Sequence, residues 1–123
     1  MNQTEETKLL EQLEQWNSKD EYSQCIRAIE AIPEQERGYL LTVKLSRAYS
    51  NLAVLSDRGA LGENAEVDGD LLRHAIDLLE SVRTQGENDP YWNARMGYSC
   101  LMAYSSAATA YEYAKRWLAL APD

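Results

Sequence analysis

The stretch 90–122 constrains this chain most, because two amphipathic helical segments follow each other there almost without a break. Asp89 before Pro90 predicts the start of a helix. An Asp side chain can cap the free N–H groups of the first turn, and Pro is tolerated at the first helical position because the N–H of that residue has no partner within the helix. Gly97 interrupts the first segment, where a glycine costs about 1 kcal/mol, and alanines dominate the second segment. We interpret this pattern as two closely packed helices in a hairpin that ends at Pro122.

Four more helices and no strand are predicted before this hairpin. In each of them, apolar residues recur at the spacing of a helix. Thr4 suits the start of the first helix, a Ser18-x-x-Glu21 capping box opens the second, and Pro33 ends it. The longest break is 57–69, whose three glycines and five acidic or amide residues predict a loop. The six predicted helices cover residues 4–16, 18–32, 39–56, 70–84, 90–104 and 107–120.

These six helices can be grouped as three pairs with a common period. The pairs begin 33 and 51 residues apart, and removing a 17-residue insertion from the second pair restores a period close to 34. The third pair has Met96-Gly97, Ala110 and Pro122 at regular positions. On these residues the chain resembles the tetratricopeptide repeat (TPR) family, whose pattern is W-x2-L-G-x2-Y, then A-x3-F, then P. The second pair matches at Leu45, Tyr49 and Ala75, and the chain departs from the pattern at Ser46, Asn93, Cys100 and Ala114.

The resemblance implies an all-α fold with a single domain over residues 1–123. That fold is a right-handed α-α superhelix of three helical hairpins, in which each hairpin stacks on the next. Its units would be residues 4–33, 37–85 with the loop insertion 57–69, and 89–122. The alternative is a six-helix bundle without a superhelical groove.

The resemblance also implies a function, because the first helix of each TPR pair lines the concave face. No acid lies in 39–56, and Arg95 is the one charged residue in 90–111. Aromatic side chains with an occasional Arg are typical of binding hot spots. We therefore predict a non-enzymatic scaffold or adaptor that binds a peptide or helix of a partner protein; the alternative is that these apolar residues form a thick core. The predicted groove residues are Leu40, Val43, Arg47, Asn51, Tyr91, Arg95, Tyr98, Leu101 and Met102.

Chaperone-type TPR proteins hold a C-terminal carboxylate with Lys and Asn at groove positions. The corresponding positions here are Val43 and Ala94, then Arg47 and Tyr98. The resemblance therefore implies a more apolar segment, with a carboxylate for Arg47, rather than an acidic chaperone tail.

The last predicted helix carries apolar side chains around much of its circumference. The terminal repeat of a solenoid needs a polar outer surface. The pattern therefore predicts either a homodimer or a piece cut from a larger protein, and an assembly module that forms oligomers through this end is the alternative function. The candidate interface residues are Tyr113, Trp117 and Leu120.

Composition and motifs exclude several classes of function. The net charge of −8 argues against nucleic acid and anionic membrane surfaces, because both require clustered Lys and Arg. No apolar run reaches 18 residues, and the N-terminus lacks a signal pattern. Cys25 and Cys100 are expected to be buried thiols of a reducing compartment, rather than a disulfide or a metal site. We therefore predict a cytoplasmic protein.

No catalytic constellation is present in the sequence. His74 is the single histidine and is expected at the surface, and no Ser-His-Asp, CxxC, HExxH or phosphate-binding glycine loop occurs. Residues 64–69 match the start of a calcium loop, but Ala75 takes the place of the bidentate Glu. We predict no enzymatic activity, no cofactor and no metal.

Overall fold

Helices form all of the secondary structure in a computed structural model of the chain, which describes residues 2–60, 68–104 and 107–121. This part of the chain is all-α, as the periodicity predicts. None of its helices is both long and apolar enough to cross a membrane. The helices are α1 (Gln3–Ser18), α2 (Tyr22–Glu30), α3 (Glu34–Ala60), α4 (Gly69–Ser81), α5 (Arg83–Gly86), α6 (Pro90–Tyr104) and α7 (Ala107–Leu120).

Side-chain caps fix the starts of three helices. Asn2, rather than Thr4, caps α1, because its Oδ1 accepts a hydrogen bond from a first-turn N–H at 2.8 Å. Asp68 caps α4 in the same way. Asp89 accepts a hydrogen bond from the N–H of Tyr91 at 2.9 Å, which confirms the cap predicted for α6.

The capping box predicted at Ser18 is wrong. Helix α1 extends to Ser18, whose Oγ donates a hydrogen bond to the carbonyl of Gln15 at 2.8 Å. The chain then turns through Asp20, whose φ of 60° is in the left-handed region, and α2 begins after Glu21 without a side-chain cap. The Ser18 hydroxyl therefore bonds to the backbone of α1 and is not available to cap α2.

Helix α3 is longer than the sequence predicts at both ends. Residues 34–37 form a helical turn, and Gly38, with a φ of 72°, kinks the chain before the main helix begins. Glycine suits this position because other residues rarely adopt a positive φ. The helix continues to Ala60, so the first four residues of the predicted loop 57–69 are helical and its last residue begins α4. Residues 61–67 lie outside the described part.

The fourth predicted helix, 70–84, is two helices in the structure. Val82 is non-helical and separates α4 from the single turn of α5. The described chain therefore contains seven helices rather than six. Helix α7 matches its prediction at both ends, and the stop predicted at Pro122 lies outside the described residues.

The helices pack in sequence order around two buried clusters. Helix α3 packs on α2 and α4, α4 packs on α6, and α6 packs on α7. The first cluster joins α1, α2 and α3 through Leu13, Cys25, Ile26, Ile29, Leu41, Leu45 and Ala48. The second joins α3, α4 and α6 through Val43, Ile76, Leu79, Trp92, Met96 and Cys100.

Trp92 anchors the second cluster and is fully buried. Its indole Nε1 donates a hydrogen bond to the carbonyl of Leu79 at 2.9 Å, which joins α6 to α4. The backbone of Gly86 lies directly against the ring, and a Cβ at that position would stand 2.3 Å from the Trp92 Cγ. A side chain at residue 86 therefore requires the indole to move.

We expect Gly86→Ala to lower the free energy of unfolding by about 1–3 kcal/mol, because overpacking a filled core costs about this much. Gly69→Ala is the matched control, since the nearest atom to a Cβ there is 4.0 Å away. Urea denaturation of both variants measures the difference. Equal stabilities for the two variants would show that the core accommodates the extra methyl group.

Candidate partner-binding surfaces

Polar and aromatic side chains from α1, α3 and α6 form a connected network on one side of the molecule. We call this network the α1–α3–α6 face. Helix α3 contributes residues spaced three and four apart, as does α6, so each helix presents a single stripe. The residues of the face are Glu14, Asn17, Lys44, Arg47, Ser50, Asn51, Tyr91, Arg95 and Tyr98.

Glu14 joins α1 to α3 through two ion pairs. Its Oε1 lies 3.0 Å from the Nζ of Lys44 and 2.9 Å from the Nη2 of Arg47. Burial alone would raise the pKa of Glu14, but the hydrogen bonds and charges of Arg47 and Lys44 lower it overall. Glu14 is therefore held as a carboxylate between two cations.

Arg95 joins α6 to α3 without a carboxylate partner. Its Nη2 donates hydrogen bonds to the Oγ of Ser50 at 2.6 Å and to the Oδ1 of Asn51 at 3.2 Å. Its guanidinium lies 4.8 Å from the centre of the Tyr98 ring, within cation–π distance. Burial lowers the pKa of Arg95, although a guanidinium stays protonated at any physiological pH. No Asp or Glu of the described chain lies within ion-pair distance of it.

Three donors on this face are buried without a hydrogen-bond partner in the described structure. They are the Nε atoms of Arg47 and Arg95 and the hydroxyl of Tyr91. Arg47 as a whole is only 9% exposed. Burial alone would lower the pKa of Arg47, but the nearby Tyr91 and Glu14 raise this pKa overall. Although Tyr91 lies close to Arg47, its hydroxyl forms no hydrogen bond of good geometry. Buried polar groups normally have a partner, so these donors mark a polar network that the described residues leave incompletely paired.

The α1–α3–α6 face is also positively charged. Three of its nine residues are cations, Lys44, Arg47 and Arg95, and one is a carboxylate, Glu14; the Asp20 carboxylate accepts a hydrogen bond from the neighbouring Tyr22 at 2.8 Å. The whole chain has a net charge of −8. The face therefore differs in sign from the rest of the protein, and its chemistry suits an anionic ligand.

The structure brings together five of the predicted groove residues and corrects a sixth. Val43 is fully buried in the second cluster, so its assignment to a groove is wrong. Lys44, the next residue of α3, reaches the face in its place, because α4 and α6 pack on Val43. Leu40 is exposed near the start of α3, and Met102 is half-buried near the end of α6. The five residues that meet are Arg47, Asn51, Tyr91, Arg95 and Tyr98.

Four residues of the face were not found from the sequence: Lys44, Ser50, Glu14 and Asn17, of which Asn17 lies 34 residues away from its partner Asn51. Lys44 follows from helical spacing, because it stands three residues before Arg47. Ser50 gave no signal of its own, since small polar residues occur throughout helices. Glu14 lies 30 residues away from Lys44, and only the packing of α1 beside α3 brings it to the face.

A second surface feature lies between α6 and α7, and we call it the α6–α7 groove. It has a volume of about 210 Å³. Leu101, predicted to face the concave side, lines this groove and is 42% exposed. The lining residues are Asn93, Ala94, Gly97, Tyr98, Leu101, Ala110, Ala114 and Trp117.

The residues predicted for a homodimer interface have different environments. Trp117 and Leu120 are exposed. Tyr113 is half-buried and packs against the Trp92 ring at a centroid distance of 6.0 Å, and its hydroxyl accepts a hydrogen bond from Arg83 at 3.0 Å. Tyr113 therefore contacts the core with part of its ring, and its place in an interface, like homodimerisation itself, stays a prediction.

The residues with reactive side chains do not form a second site. Cys25 and Cys100 are free and buried, and burial raises the pKa of both thiols. His74 is exposed, as expected, with its ring 4.5 Å from that of Tyr49. Among the described residues, no three His, Cys, Asp or Glu side chains come together as metal ligands.

Comparison with known proteins gives no match: no family model, no curated protein and no solved structure is significantly similar to this chain. The TPR resemblance therefore stays a prediction from the residues quoted above.

We expect Glu14→Gln to destabilise the protein at pH 7 by less than about 1 kcal/mol, because half of the side chain is exposed and water screens the pairs. The pKa of Glu14 is lower in the folded protein than its ordinary value of 4.5, so its contribution is complete above that pH. The contribution disappears as the pH falls through the folded-state pKa.

Urea denaturation at neutral and at acidic pH measures this difference. Glu11→Gln, at an exposed position on the same helix without an ion pair in the described structure, is the control for removing a carboxylate from α1. A Glu14→Gln effect that persists in acid would show that packing, rather than charge, holds Glu14 in place.

Proposed function

We propose that this chain is a non-enzymatic protein–protein interaction module that binds an acidic segment of a partner protein on its α1–α3–α6 face. The chain acts as a scaffold, because it supplies positioned side chains on helices rather than reactive groups. The bound segment would place a carboxylate against Arg47 and Arg95 and apolar side chains against the tyrosines.

The same proposal includes a TPR-like superhelix of three helical hairpins. The hairpins would be α1–α2, α3–α4 and α6–α7, and their packing in sequence order is what a stacked array requires. The α1–α3–α6 face then consists of the first helix of each hairpin, which in the TPR family is the helix that lines the concave side.

The observation that carries this proposal is the unbalanced charge of Arg95. A buried cation is costly when no anion accompanies it, and charge-assisted hydrogen bonds are the strong ones. Arg95 has only neutral partners, and its Nε has none in the described structure. A ligand carboxylate on the face would supply the missing charge.

The tyrosines of the face define the rest of the ligand. Tyr91 lies 5.0 Å below the ammonium of Lys44, and Tyr98 lies beneath Arg95. Aromatic rings of this kind bury apolar area at little cost in conformational entropy. The preferred ligand is therefore an extended or helical segment in which an acidic residue stands beside aliphatic ones.

Selection from a library of short random peptides against the purified protein tests this proposal. We expect enriched peptides to contain an acidic residue next to aliphatic residues and to bind more weakly as salt increases. Arg95→Gln should weaken binding by about tenfold or more, because a hydrogen bond to a charged group contributes about 1.5–3 kcal/mol.

Arg73→Gln is the matched control, since Arg73 forms an exposed ion pair with Asp70 on α4, away from the face. It should leave peptide affinity unchanged. Enrichment of peptides without acidic residues, or equal binding to wild type and Arg95→Gln, would contradict the proposed function.

A further inference from the structure

We propose that Glu14 is an internal competitor of the partner's carboxylate on the α1–α3–α6 face, and that the bound acidic segment displaces it from Arg47 and Lys44. This competition presupposes the proposed function and regulates the same site. The free protein is then self-inhibited, because its own carboxylate occupies cations that an acidic ligand needs.

A single oxygen of Glu14 occupies two of the three cations of the face. Its Oε1 lies 2.9 Å from the Nη2 of Arg47 and 3.0 Å from the Nζ of Lys44. A ligand carboxylate would pair with the same groups at similar distances. Two carboxylates cannot occupy one position, and like charges brought together there would repel each other. An acidic ligand that pairs with this side of Arg47 must therefore replace Glu14.

Glu14 is the member of this cluster that is free to leave. Its side chain is 53% exposed, whereas those of Lys44 and Arg47 are 18% and 10% exposed. An exposed ion pair contributes little, so its loss changes an equilibrium constant by at most about fivefold. The Glu14 side chain can therefore turn into solvent at a small cost while α1 stays packed through its buried residue, Leu13.

The two cations keep their places when Glu14 leaves. Both belong to α3, which is buried against two clusters. The ammonium of Lys44 lies 5.0 Å from the centre of the Tyr91 ring, a cation–π contact that does not involve Glu14. Tyr91 also lies beside Arg47. Departure of Glu14 thus uncovers two cationic groups that are already positioned close to Arg95.

Displacement of Glu14 also makes the face selective for acidic segments. Arg47 and Lys44 have no other carboxylate within ion-pair distance in the described chain. A neutral segment that pushed Glu14 aside would leave both cations without a counter-charge, and a buried cation without an anion is costly. A neutral segment therefore leaves Glu14 in place, whereas an acidic one exchanges one carboxylate for another.

Binding of a defined acidic peptide tests this competition. The probe is an acetylated and amidated peptide with one Glu between two Leu residues in an alanine host, and a second peptide has Gln in place of that Glu. We expect the Glu14→Gln protein to bind the Glu peptide about fivefold more tightly than wild type does, because no carboxylate has to be displaced. Its affinity for the Gln peptide should equal that of wild type. Titration followed by NMR measures both affinities.

Glu11→Gln is the matched control, since it removes the same charge from an exposed position of the same helix that has no ion pair in the described structure. It should change the affinity for the Glu peptide by less than about twofold, because salt screens a distant exposed charge. A merely structural role for Glu14 predicts the opposite sign for Glu14→Gln, because loss of a residue that positions Arg47 and Lys44 would weaken binding.

Two results would overturn the competition and leave the proposed function in place. In one, Arg95→Gln weakens binding of the Glu peptide but Glu14→Gln does not strengthen it. In the other, Glu14→Gln binds both peptides more tightly by the same factor, so that its effect does not depend on the ligand's charge. Failure of the proposed function is distinct, because the Glu peptide would then bind no better than the Gln peptide to wild type or to any variant, and the competition would fail with it.

Discussion

Burial of α3 on two sides is the constraint on which the rest of the structure depends. One side, which includes Leu41 and Leu45, packs against α1 and α2, and another side, at Val43, packs against α4 and α6. One narrow stripe remains, and it carries Lys44, Arg47 and Asn51. The position of the polar face is therefore determined by the core, because its side chains occupy the part of α3 that the two clusters leave free. The same helix holds both clusters at a fixed separation.

Helical periodicity and capping rules predict much of this fold because they depend on neighbouring residues. The six predicted helices all exist, and Asp89 caps α6 as expected. The errors arise where a longer-range effect decides. Ser18 belongs to α1 because that helix continues past its last apolar residue, and Val43 is buried because α3 has two apolar sides rather than one. A sequence with two apolar sides predicts that α3 is a helix, but it does not decide whether Val43 or its neighbour Lys44 faces the core.

The candidate site also has residues that local sequence patterns predict and contacts that only the packing of the helices determines. Arg47, Tyr91, Arg95 and Tyr98 could be identified from the sequence because uncharged aromatic stretches with an isolated cation are conspicuous. The sequence could not show that Arg95 lacks a carboxylate partner. The acid nearest to Arg95 in space depends on how α1 and α6 lie beside α3. Glu14 could have paired with any of three cations, and it binds Lys44 and Arg47. The proposed preference for an anionic ligand thus rests on how the helices pack together.

Packing in sequence order also has a consequence for how the molecule opens. Nearly all contacts join helices that are close along the chain, and such a topology favours fast folding. Helix α7 packs chiefly on α6, so it can separate from the protein at a lower free-energy cost than α3, which would have to leave both clusters. Its amide hydrogens should exchange with solvent before those of the central helix. The protein is therefore graded in rigidity from the middle towards its C-terminal end, where the apolar groove lies.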